Sequence, residues 1–379
     1  MAPAVGFSAG PSRSAVCRAE GPTKANAAVG GPRLAQPGLV VPKDAGPVPR
    51  GVTARSWLVA DLDTGDVLAA CAPHALGAPA SVQKLLLAAT IMDSLDPKRV
   101  VTVTDADMNY EPGSSAVGLV SHGRYNVRTL WLGLLLNSGN DAANVLARVG
   151  DPGGVAGTLA AMNARARTLG ALDTHAVTPS GLDGRGQLTS AYDLALIARA
   201  CWSSPDFVRY ITARSAQIPK QKPNWPGFQI QNSLGFLYNY RGALGGKSGF
   251  SDVAGHTFVG VARRNGQRLV VTMLDAKNPG YGWDQAGKLL DWVFDFGTVT
   301  PVGRLVTPGD PNPYQGVASP LDTRPIAAPA AAADRSFVAR LGSGVKMIWP
   351  LLAMTGIVLV SAAILMLLVA YPHKQAKGL

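Results

Sequence analysis

At 379 residues the chain has ample length to bury a core, as one large domain or two ordinary ones. Its formal charge is +11, from 35 Lys and Arg against 24 Asp and Glu, but the basic residues are scattered, with no Lys/Arg block and no interleaved aromatics. That pattern excludes a nucleic-acid partner and suits an anionic surrounding such as a cell envelope.

Residues 1–52 are rich in Gly, Pro, Ala and Ser and have little hydrophobic periodicity, which predicts a disordered leader. They contain no apolar core of a signal peptide, so an export signal is expected upstream of Met1. Structure is expected from about Thr53. Trp57 to Leu62 and Asp66 to Ala70, joined across Asp63-Thr64-Gly65, read as a β-hairpin that delivers the chain to a helix beginning near Ser81. After a mixed stretch with a turn at Glu111-Pro112-Gly113, the apolar run Leu130 to Leu136 predicts a buried helix ending at Asn137-Ser138-Gly139-Asn140. Further helices are predicted from Asp141 to about Arg148, from Leu159 to Leu169, and from a capping-box-like Thr189-Ser190-Ala191-Tyr192-Asp193 to about Trp202.

Loops with one short hairpin are expected over 219–235. A second clear hairpin runs from His256 to Arg263, turns at Asn265-Gly266 and returns through Arg268 to Leu274. The closing helix, about Trp283 to Phe296, carries one apolar stripe of Ala286, Leu289, Leu290, Val293 and Phe294. Strands first, helices in the middle, then strands and a last helix imply an α+β fold over 53–297, an antiparallel sheet flanked by helices with a helical subdomain. Residues 298–345 read as a Pro/Ala-rich linker. Met347 to Tyr371 carries no charge, which predicts a transmembrane helix over 346–372 and a short tail, 373–379. Lys and Arg flank both ends of that run, so charge does not settle its orientation.

Cys17, Cys71 and Cys201 are far apart and odd in number. They suggest neither a disulfide framework nor a metal site, though a single pairing stays open. The five histidines form no paired motif, and each reads as a surface or lightly buried residue rather than a ligand. No metal or cofactor is expected.

Three stretches carry chemistry. In Ser81-Val82-Gln83-Lys84 the two outer residues share a helical face at the helix start, where a buried amine of lowered pKa could take the proton of a serine hydroxyl. Ser138-Gly139-Asn140 is by itself a polar turn. Gly245-Gly246-Lys247-Ser248-Gly249-Phe250 places a lysine among glycines at a strand, where a ligand could lie against backbone.

Taken in this order and at these separations, the three stretches resemble the motifs of the serine penicillin-recognising enzymes. The text narrows the resemblance to the D-alanyl-D-alanine carboxypeptidases, the low-molecular-mass penicillin-binding proteins, of actinobacterial type. Trp57 to Asp63, Ser138 to Ala143, Thr178-Pro179-Ser180-Gly181-Leu182-Asp183-Gly184 and Thr257-Phe258-Val259-Gly260 all look like that family, over about Ala54 to Phe296.

The resemblance implies a β-lactamase/transpeptidase-like fold and an acyl-enzyme on Ser81, with Lys84 as its base and Ser138 relaying a proton to the departing D-alanine. Asn140 would hold the substrate amide, Lys247 would supply positive potential and Ser248 would contact the terminal carboxylate. Gly249 and Phe250 complete the implied substrate-binding set, and the N–H groups of Ser81 and Phe250 would form the oxyanion hole. Ser248 stands where most of the family has threonine, so looser positioning is expected.

The implied partners are peptidoglycan stem peptides ending in D-Ala-D-Ala, β-lactams as covalent inhibitors, and the membrane, with the catalytic domain on the wall side. Competing readings are a serine β-lactamase, a DD-endopeptidase or transpeptidase of the same fold, and a non-catalytic wall-binding or penicillin-sensing protein. The absence of any glutamate after Glu111 argues against the class A lactamase route, and the intact Ser81, Lys84, Ser138 and Lys247 argue against a binding module.

Overall fold

Both hairpins form at the turns that favour them. Strands β2 (Ser56–Asp61) and β3 (Asp66–Cys71) are joined through Gly65 at φ 84°, and β9 (Gly255–Arg264) and β10 (Gln267–Ala276) through Asn265 and Gly266, both at positive φ, as a tight hairpin turn requires. With β1 (Leu39–Val40) and β8 (Ala243–Ser251) they build an antiparallel sheet in the order β1-β3-β2-β10-β9-β8, and β11 (Gly303–Arg304) also pairs β3. The computed structural model describes Cys17 and residues 29–277, 282–297, 299–310 and 313.

The central strands bury both faces, and alternation sorts their side chains between two cores. Leu58, Ala60, Val259, Val261, Val270 and Leu274 point to the larger core. It is shared with α1 (Lys84–Ile91), α2 (Val127–Asn137), α3 (Asn140–Gly150), α4 (Gly154–Leu169), α5 (Ala191–Trp202) and α6 (Pro205–Ile211). Trp57, Val59, Phe258, Val271 and Met273 point the other way, onto the apolar stripe of α8 (Gly282–Phe294), beside which the short α7 (Gly235–Asn239) packs. Two small hairpins complete the helical side: β4 (Val100–Thr102) with β5 (Arg124–Asn126), and β6 (Ser215–Ile218) with β7 (Phe228–Gln231). The α+β arrangement read from the sequence is thus found. Ser190 caps α5 by accepting from Asp193 N, and Asn126 caps α2 by accepting from Thr129 N.

Three expectations are corrected, and the cysteine pairing left open by the sequence is filled in. The leader is not disordered throughout: from Val29 onward it packs as an arm along the outer edge of β3, with Val29, Leu34 and Val40 buried and β1 paired to β3. These apolar residues are too sparse to show periodicity: Val40 covers the β3 edge as part of β1, while Leu34 packs against Gly303 of β11. Cys17 pairs with Cys71 of β3 in a disulfide, while Cys201 is free and buried. The beginning of the linker also packs, because Val302, Leu305 and Val306 are buried and Tyr192 OH donates to Arg304 O while accepting from Val306 N. His74 is buried rather than superficial, its two ring nitrogens meeting Asp173 Oδ2 at 2.8 Å and Val29 O at 3.0 Å. The expected membrane segment, 346–372, lies outside the described residues, among which no helix is long and apolar enough to cross a membrane.

Candidate active site

Ser81 lies in a 3-10 turn, Ala80–Gln83, that runs directly into α1, as a proline and small residues ahead of a Leu-rich run lead one to expect. The turn is held in a sparsely populated conformation: Ala80 has φ 46°, a left-handed value that costs a non-glycine residue roughly 1–3 kcal/mol and persists only where the surroundings enforce it. Those surroundings are visible. Gly181, itself at φ 89°, sits so close that a Cβ there would collide with the Ala80 carbonyl, and a Cβ at Gly249 of β8 would stand 2.6 Å from Ser81 N.

Lys84, fully buried, points its amine back at the turn. Its Nζ lies 2.8 Å from Ser81 Oγ, 2.7 Å from Asn140 Oδ1 and 2.9 Å from the Ser180 carbonyl oxygen. Burial holds its pKa well below the ordinary lysine value, Lys247 adds repulsion, and the Asp141 carboxylate opposes both. A neutral amine has two N–H donors and one lone pair. Two carbonyl acceptors and one hydroxyl therefore match it: the donors go to Asn140 and Ser180, and the lone pair faces Ser81.

The loop between α2 and α3 presents the second motif. Ser138 ends α2 in the left-handed region, φ 59°, and its buried hydroxyl has no hydrogen-bond partner among the described residues. Asn140 begins α3 and gives Nδ2 to Ser114 Oγ at 2.9 Å, so its amide is oriented from both sides, Oδ1 to the lysine and Nδ2 to the serine. Asp141 is buried, with its carboxylate accepting from the backbone N–H groups of Val117, Gly118, Leu119 and Ala142, which pins the 114–119 loop beside Asn140.

The third motif lies on β8, an edge strand. Lys247 is buried, donates to Ser248 O at 2.7 Å, and has its pKa lowered by burial to about 7. Ser248 and Phe250 alternate with it as exposed side chains, Phe250 resting on His256 with ring centroids 4.7 Å apart. The structure therefore joins Ser81, Lys84 and Asn140 by direct contact and lays Gly249 against the Ser81 turn. Sequence reasoning passed over Ser114, Ser180 as an acceptor, and Asp141. Ser180 contributes a backbone carbonyl, which leaves no side-chain signature, and Ser114 lies in a stretch without periodicity.

A family model described as D-alanyl-D-alanine carboxypeptidase matches residues 43–278. The chain belongs to that family. It is 44% identical over 273 residues to the D-alanyl-D-alanine carboxypeptidase DacB2 of Mycobacterium tuberculosis, covering 70% of this chain and 90% of that one. Against the D-alanyl-D-alanine carboxypeptidase DacD of Escherichia coli the identity is 34%, over 65% of this chain and 64% of that one. Among solved structures, the D-alanyl-D-alanine carboxypeptidase of Mycobacterium tuberculosis superposes with a TM-score of 0.65 at 42% identity, over 70% of this chain and all of that one. A Streptomyces DD-transpeptidase shares the fold, with a TM-score of 0.63 at 24% identity over 66% of this chain and 99% of that one. The carboxypeptidase match ends at residue 278, so it leaves out α8, which covers the outer face of the sheet.

Proposed function

We propose that the chain is a serine-type D-Ala-D-Ala carboxypeptidase that removes the terminal D-alanine from peptidoglycan stem peptides through an acyl-enzyme on Ser81. The observation that carries this is Lys84. A buried amine whose two N–H groups are taken by Asn140 and Ser180 leaves its lone pair for the Ser81 hydroxyl, 2.8 Å away.

Ser81 Oγ attacks the carbonyl carbon of the penultimate D-alanine as its proton passes to Lys84 Nζ. The N–H groups of Ser81, at a helix start, and of Phe250, on the adjacent edge strand, receive the developing oxyanion. Collapse breaks the C–N bond, and the proton moves from Lys84 through Ser138 to the departing amine. The unpartnered Ser138 hydroxyl supports that relay. Asn140 holds the substrate amide, while Lys247 and the exposed Ser248 receive its terminal carboxylate, and Gly249 keeps β8 close to the nucleophile. Water then attacks the ester, with the same Lys84/Ser138 pair as base. β-Lactams enter as covalent inhibitors because they acylate the same serine.

The reading extends to the cell wall side of the membrane. The uncharged run 347–371 supports an anchor, and the Cys17–Cys71 disulfide fits an oxidising compartment. The test is to incubate the purified protein with a pentapeptide ending in D-Ala-D-Ala and, separately, with a penicillin. Free D-alanine and a mass increase on Ser81 are expected. Absence of both from wild-type protein, or covalent label persisting in S81A, would overturn the assignment.

A further inference from the structure

The hairpin β6–β7 ends in a built surface that the acyl-transfer chemistry leaves unused. Its root stands at the cleft: Ser233, just after β7, donates through N and Oγ to the Leu136 carbonyl, two residues before Ser138. Its flank faces the 114–119 loop, because the Phe228 ring lies 3.5 Å from where a Cβ at Gly118 would stand. The tip is closed by two backbone bonds between Gln221 and Trp225, and the Gln221 side chain fastens it to β5, accepting from Arg124 N at 2.8 Å and donating to Arg124 O at 3.0 Å. Beyond these bonds the tip turns an indole outward, with Trp225 46% exposed. Lys220, Lys222 and Arg124 are exposed around it and have no carboxylate partner among the described residues.

The backbone that carries this exposed indole is already fixed before any ligand arrives, which lowers the ordering cost of binding. An exposed aromatic face on a tip that also carries unpaired cations matches a ligand with an apolar ring face and negative charges beside it. A pyranose ring offers such a C–H face, and the stem peptides borne along a wall glycan carry free carboxylates beside it.

The geometry points to the Trp225 tip as a glycan subsite that binds the sugar strand of the wall polymer while its stem peptide occupies the Ser81 cleft. This rests on the carboxypeptidase reading and adds that the enzyme distinguishes polymer-borne stems from free peptides.

The test uses full-length protein, wild-type and W225A, and a K220Q/K222Q variant. D-Alanine release is measured on a soluble tripeptide and on purified sacculi stripped of attached anionic polymers. The ratio of sacculus to tripeptide turnover should fall about tenfold in W225A and several-fold in K220Q/K222Q, and added salt should shrink the effect of the lysines. An unchanged ratio overturns the subsite, whether or not overall turnover changes. Co-sedimentation of S81A and S81A/W225A with sacculi gives a readout independent of turnover, with about tenfold weaker binding expected once Trp225 is lost. If wild-type protein releases no D-alanine from either substrate, the carboxypeptidase reading fails while co-sedimentation still decides the subsite. Trp225-dependent binding to anionic phospholipid vesicles, with sacculus binding unchanged, would assign the tip to the membrane and overturn the inference.

Discussion

Thr257 Oγ1 donates to the Pro79 carbonyl at 2.8 Å, a bond that spans 178 positions and fastens β9 to the turn carrying Ser81. Both groups are buried behind the nucleophile, so removing the hydroxyl leaves the carbonyl unsatisfied, at a cost of about 1–3 kcal/mol. Because Ala80 is already in a left-handed conformation, this bond is one of the few restraints that enforce it. T257V should lower both the unfolding free energy and the penicillin acylation rate, the latter by about tenfold or more, and T257S should restore both. Acylation of T257V within twofold of wild type would remove the positioning role.

Lys84 can act as base only if its amine can become neutral. A guanidinium stays protonated at any workable pH, so K84R should lose about four orders of magnitude in kcat/KM although it keeps a long basic side chain. K84M should fail equally while leaving the buried site without an amine to desolvate. Single-turnover acylation measures both, and K84R activity within about tenfold of wild type would show that proton transfer runs elsewhere.

The two buried amines divide the protonation states between them. Burial lowers both, Lys247 to about 7 and Lys84 well below the ordinary lysine value, and the Lys247 charge adds to the lowering at Lys84, so a charged Lys247 favours a neutral Lys84. The kcat/KM profile should therefore fall on its alkaline side as Lys247 loses its proton, and a bound substrate carboxylate should shift that limb upward in kcat. K247R cannot titrate and should lack the alkaline limb, whatever its absolute rate. Between about 7 and the unfolded lysine value of about 10.4 the unfolded chain binds more protons than the folded one at Lys247. Stability should thus rise with pH through this window, and K247M should flatten the rise.

Peptide and lactam esters should part at hydrolysis. Among the described residues near Ser81, the Asp141 carboxylate is committed to four backbone N–H groups, and no glutamate follows Glu111, so the proposed Lys84/Ser138 pair is the remaining candidate for the base. D-Alanine departure opens space for water there, whereas a ring-opened lactam keeps its leaving group tethered. A D-Ala-D-Ala peptide should turn over many times while the penicilloyl adduct decays slowly, each tenfold gap corresponding to about 1.4 kcal/mol. Rapid catalytic clearance of penicillin without D-alanine release would instead indicate a lactamase.

The Cys17–Cys71 bond closes a loop of 54 positions, for which chain entropy gives a stabilisation of about 4 kcal/mol as an upper figure. C17S should lower the melting temperature by several degrees, and dithiothreitol should lower wild type to the same value. Equal melting temperatures with and without reductant would show that the bond does not form in the purified protein.

The sequence alone determined what depends on near neighbours. The Ser81/Lys84 spacing on one helical turn, the positive-φ Asn265-Gly266 turn, the Ser190 cap of α5 and the apolar stripe of α8 are each encoded within a few residues, so pattern and turn chemistry suffice to find them. Tertiary structure decided what depends on enclosure. The lowered pKa of Lys84 requires that α3 and the Ser180 segment bury it and take its protons, and neither a backbone carbonyl 96 positions away nor the field of Lys247 appears in a local pattern. The N-terminal arm is the converse case: Val29, Leu34 and Val40 are too few to form a periodic signal, and only the assembled core, with the β3 edge and β11 beside it, gives them something to bury against.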